Sequence, residues 1–116
     1  MKRNLLIFLI TGFLVSCANG NAIISGNPRP PIPVEQVKVY FDPPSKFETI
    51  GIVTASGTGM VTGYQANLGV AMAEIKLQAS KIGANGVLLN SSDIVEISSI
   101  TRNAANVTAK AIFVPN

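Results

Sequence analysis

The order of apolar and polar positions divides this chain into three stretches. Leu5 to Val15 is an unbroken apolar run, preceded by Lys2 and Arg3 and closed by Ser16-Cys17. Ala18 to Val34 has no periodicity and is rich in Asn, Gly and Pro. From Glu35 onward the pattern turns regular, and that regularity predicts a folded domain over residues 35–116.

Val37, Val39 and Phe41 alternate with Lys38, Tyr40 and Asp42, the period of a half-buried strand, stopped by Pro43-Pro44. Phe47 to Ala55 is a second strand, rich in β-formers, with Gly51 suited to a bulge. Residues 56–65, SGTGMVTGYQ, read as a flexible glycine-rich connector to a helix that starts near Gln65 or Asn67 and ends at Ile82. At 100° per residue Leu68, Ala71, Met72, Ile75, Ala79 and Ile82 share one face, with Asn67, Glu74, Gln78 and Lys81 in a polar stripe. Val70, Ala73 and Leu77 lie nearly opposite the core stripe and are the candidate contact for a partner or a second copy.

Lys81 suits a helix C-terminus and Gly83 a left-handed cap. Val87-Leu88-Leu89 then reads as a short buried strand and Asp93 to Thr101 as a fourth. Arg102 to Ala105 makes a turn, and Val107 to Val114 alternates as the last strand. The order β-β-α-β-β-β predicts an α+β domain: one helix packed on a mainly antiparallel sheet of four to five strands.

Composition changes this picture mainly through the leader. The chain has 116 residues, nine basic and six acidic, and no histidine. Lys2 and Arg3 belong to the leader, so beyond it seven basic residues face six acidic ones. The mature charge is close to neutral and gives no basic stripe for nucleic acid. The segment 17–34 contains Pro28, Pro30, Pro31 and Pro33, which favour polyproline II. It reads as a semi-rigid spacer reaching roughly 50 Å, in preference to a PxxP-type ligand at Pro30 to Pro33.

A basic start followed by a short apolar run is the secretory signal pattern. The eleven residues Leu5 to Val15 span about 16 Å as a helix, against a hydrocarbon thickness of ~30 Å, so a signal peptide over residues 1–16 is favoured over an anchor. Leu14-Val15-Ser16-Cys17 resembles the lipobox of bacterial lipoproteins. The resemblance implies cleavage between Ser16 and Cys17 and lipid on Cys17, the sole cysteine. Ala18 follows, not aspartate, which in enteric-type bacteria implies the outer membrane, with the domain facing the periplasm.

The helix exit, Ala79-Ser80-Lys81-Ile82-Gly83-Ala84-Asn85-Gly86-Val87-Leu88-Leu89, resembles small bacterial domains of the RcsF-like and YbjQ-like groups, as do the earlier Val39-Tyr40-Phe41 and Phe47-Glu48-Thr49-Ile50-Gly51. That implies the same α+β fold and a non-enzymatic role: an envelope lipoprotein that binds another envelope protein, in stress sensing or structure. The alternative implied by the YbjQ-like group is an oligomeric domain binding a small ligand or metal.

No catalytic constellation emerges. Nucleophilic mechanisms want a base, usually histidine. Gly57-x-Gly59 with Gly63 lacks the spacing and the acidic partner of a dinucleotide loop. Asp93 and Glu96 are the only neighbouring carboxylates that invite a metal, and they read as strand-surface charges. The sequence therefore predicts no enzyme, no cofactor and no metal site.

Overall fold

The computed structural model describes residues 18–59, 64–98 and 103–115. The leader, Ser16 and Cys17 lie outside them. The described strands are β1 (Ala18–Ile24), β2 (Lys38–Tyr40), β3 (Glu48–Gly59), β4 (Gly86–Leu88), β5 (Ile94–Ser98) and β6 (Asn103–Phe113). Among the described residues one α-helix, α1 (Tyr64–Lys81), packs on one side of the sheet they form. The order is β1-β3-β6-β4-β2, with β5 added along β6. Every pair is antiparallel except β2 with β4. This is the expected α+β class, with one strand more than the sequence suggests.

The additional strand is β1. It pairs with β3 from Ala18 opposite Gly57 to Ile24 opposite Gly51, inside the stretch expected to be a spacer. Asn and Gly are poor strand formers, but Gly20 sits beneath α1, where a Cβ would lie 2.5 Å from Glu74 Cγ and 2.9 Å from Gln78 Cγ. A small residue is what lets the strand slide under the helix. The ladder bonds to β3 outweigh weak propensity.

The proline-rich residues after β1 are also part of the domain. They cross the C-terminal end of α1 as a strap and close with a 3-10 turn, Val34–Gln36. The strap supplies backbone donors to carbonyls at and just beyond the helix end. Arg29 N–H donates to Ile82 O at 3.0 Å and Ile32 N–H to Ser80 O at 3.1 Å. Gly83, with φ +78°, makes the left-handed turn beneath it, and Ala84 N–H returns to Ala79 O while Gly83 N–H returns to Ser80 O. That is a Schellman cap. A Cβ at Gly83 would also lie 2.5 Å from Arg29 Cβ. The Arg29 guanidinium lies 3.9 Å above the Phe113 ring and donates to Glu48 at 2.8 Å. Asn85 ties the chain end to the same corner, donating to Val114 O and accepting from Val114 N–H at 2.8 and 2.7 Å. The helix-exit residues Ser80 to Asn85 thus do capping work.

The core lies between α1 and the sheet. Ala71, Ile75 and Ala79 of the helix meet Val53 and Ala55 of β3 and Val107, Ala109 and Ala111 of β6. Leu68 and Met72 are only partly covered. Asn67, expected on the polar stripe, is 2 % exposed. Its carbonyl oxygen occupies the space where a Gly57 Cβ would be, 2.0 Å away, so the first turn of α1 lies directly on the strand. Gly57 and Gly59, expected in a flexible connector, are strand residues, and residues 60–63 of that connector lie outside the described ones. Likewise β6 begins at Asn103, inside the expected turn.

Candidate functional site

The outward side of α1 carries two of the three residues expected to meet a partner. Ala73 and Leu77 are exposed, Leu77 by 40 %. They line a groove of about 510 Å³ with Gly69, Met72 and Lys76 of the helix. Its other wall is Val34 and Glu35 of the 3-10 turn that ends the strap. Val70 is half-buried and lies outside the lining.

The groove exists because the strap runs back along the helix. Ile32 N–H, held by Ser80 O, brings the next residues alongside the last turns of α1. Gly69 lowers the floor: no atom lies within 4 Å of where its Cβ would be. The chemistry on offer is apolar contact from Val34, Met72, Ala73 and Leu77, with Lys76 and Glu35 supplying opposite charges. Periodicity identified Ala73 and Leu77. It could not find Val34 and Glu35, because the stretch that holds them carries no periodic signal.

The face of the sheet away from α1 mixes polar side chains with the exposed Ile23, Ile52 and Val95. Asn19 and Asn21 of β1, Thr54 and Ser56 of β3, and Asn106 and Thr108 of β6 line a shallow hollow of about 260 Å³. Ser56 Oγ donates to Asn106 Oδ1 across it. Beside it Pro43, Ile52, Leu88, Asp93 and Lys110 border a second hollow of about 410 Å³. Asp93 accepts from the Asn90 N–H at 2.8 Å and so closes the turn before β5, while Glu96 lies further along that strand. Among the described residues no group of three or more His, Cys, Asp or Glu side chains could hold a metal ion. No helix among them is long and apolar enough to cross a membrane.

One helix on a six-stranded, mostly antiparallel sheet with an edge strand leading in places the chain among small α+β domains. Among solved structures it is similar to that of a Francisella virulence factor, FvfA, in an orthorhombic crystal form. The TM-score is 0.62 at 17 % identity, covering 84 % of this chain and 98 % of that one. At that identity the likeness establishes a shared fold. The covered share exceeds what residues 35–116 alone could supply, so it extends into the segment expected as a spacer. No protein-family model and no curated protein matches the chain.

Proposed function

We propose that this protein is a lipid-anchored component of a bacterial cell envelope whose domain binds an envelope protein partner through the groove beside α1. The anchor would be Cys17, on the strength of Leu14-Val15-Ser16-Cys17, and Ala18 after it favours the outer membrane, facing the periplasm. The capped helix exit keeps the domain within the RcsF-like and YbjQ-like resemblance.

The observation that carries the partner reading is the pairing of Ala73 and Leu77 with Val34 across the groove, an apolar cleft flanked by Lys76 and Glu35. A photo-cross-linking residue at Leu77 in whole cells is expected to give one discrete protein adduct, weakened by Ala73→Asp. The same residue at Thr108, on the far face, should give none. Absence of the Leu77 adduct refutes the reading. For the anchor, Cys17→Ala should end incorporation of labelled palmitate, and persisting label would remove it.

A second copy is the alternative occupant, as in a YbjQ-like oligomer, because Leu77 is exposed enough to pair with itself. Sedimentation of residues 18–116 at a constant monomer mass across concentration would exclude that alternative.

A further inference from the structure

The reach of a lipid anchor depends on how much free chain follows it, and here none does. β1 begins at Ala18, the residue after Cys17, so their Cα atoms are about 3.8 Å apart. The strand is fixed along its length by β3, with Asn19 opposite Ser56 and Gly20 opposite Ala55, and Gly20 lies beneath Glu74 and Gln78.

The register defines what stands at that end. Gly57 pairs with Ala18 and with Ala105, and Ala105 with Glu96. One step further out Asn103 pairs with Gly59 and Ser98. The helix N-terminus joins them: Asn67 rests on Gly57, and Tyr64 shares a small hollow with Ile97, Asn103 and Ala104. Among the described residues 18–20, 56–59, 64–67, 96–98 and 103–106, Glu96 alone is charged. The opposite end carries Arg29, Lys38, Glu48 and Lys81. With Glu96 as the single charge among these described residues, the rest being amides, hydroxyls, glycines and small or apolar side chains, their approach to lipid headgroups strips water from few charges, which is the costly step.

We infer that the Ala18–Gly57–Ala105 end of the sheet, with the N-terminus of α1, rests directly on the lipid surface, and that the strap end stands farthest from it. The inference rests on lipid at Cys17, and it replaces the expected semi-rigid spacer with a direct, fixed orientation. Gln65 and Lys81 lie at the two ends of the helix, about 24 Å apart along its axis.

The test uses the full-length lipidated protein in vesicles of phosphatidylethanolamine and phosphatidylglycerol carrying a nitroxide on the headgroup. Cys17 is the sole cysteine and its thiol is consumed by lipid, so Gln65→Cys or Lys81→Cys offers one site for a fluorophore. Quenching is expected to be several-fold stronger at Gln65→Cys than at Lys81→Cys. A flexible insert of about ten residues between Cys17 and Ala18, spanning roughly 17 Å, should level the two. Equal quenching without the insert, or a difference that survives it, overturns the inference. Labelling of the parent protein at Cys17 itself would report failure of lipidation instead.

Discussion

Strand β3 shows both faces of the sheet in alternate residues, and they follow different rules. Toward α1 it presents Val53, Ala55 and Gly57, all buried, with the helix backbone almost touching Gly57. Toward the other side it presents Ile52, Thr54 and Ser56, with Ile52 43 % exposed. The covered face is built from small side chains, Ala105, Ala109 and Ala111 on β6 included, which bring helix and sheet close together. The open face mixes hydroxyls and amides with Ile23, Ile52 and Val95, all of which water can reach. A close-packed face fails by volume or by charge, whereas an open one tolerates both.

An aspartate at two adjacent positions should break that contrast most visibly. Val53→Asp places an unpaired carboxylate in the core and is expected to cost at least about 4 kcal/mol, a large part of the ~5–15 kcal/mol that holds a domain together. Ile52→Asp, one residue earlier, should stay within about 0.5 kcal/mol. Urea unfolding of the two variants decides it. Similar midpoints would mean that the two faces are equally covered.

Adding one methyl group tests the same contrast more gently. Gly57→Ala drives a Cβ into the Asn67 carbonyl, and the atoms it meets belong to packed helix backbone, so a loss of about 1–3 kcal/mol is expected. Gly69→Ala adds the same methyl to α1 where nothing lies within 4 Å. It should gain about 0.8–1 kcal/mol by helix propensity alone, while raising the floor of the groove and weakening the Leu77 adduct. Thermal melts give the first pair of signs and whole-cell cross-linking the second effect. A destabilised Gly69→Ala would show that the groove is already filled.

What could be read from the sequence follows from this division. Ala71, Ile75, Ala79 and Ile82 repeat at helical spacing and are buried as that spacing requires. Gly83 followed by a short strand was legible because a left-handed cap leaves a local mark. β1 was not, because Asn19, Gly20 and Asn21 have poor strand propensity and are held by Asn- and Gly-tolerant contacts with β3 and α1. The strap was read as a spacer because proline removes periodic signal, yet Arg29 and Ile32 still have N–H groups, and those groups find the helix end. Polarity places Asn67 in the solvent-facing stripe, although it is 2 % exposed. The groove was half legible for the same reason: Ala73 and Leu77 share a helix face, whereas Val34 arrives from a segment no local pattern connects to it.

The smallest expected effect lies on the open face, at Ser56. Its hydroxyl donates to the Asn106 amide oxygen between β3 and β6, and the hollow around it is wide enough for water to reach both groups. A hydrogen bond adds about 0.5–1.5 kcal/mol when its partners would otherwise be stranded, and a bridging water recovers most of that. Ser56→Ala should therefore cost about 0.5 kcal/mol, less than the single methyl of Gly57→Ala one residue further along. Asn106→Ala should cost a similar amount, and the double variant little more than either alone, because both lose one shared bond. Equilibrium unfolding of the four proteins in the cycle measures the coupling directly. Should Ser56→Ala cost more than Gly57→Ala, the open face would be holding the sheet together, and the close approach of α1 to β3 would not be its principal constraint.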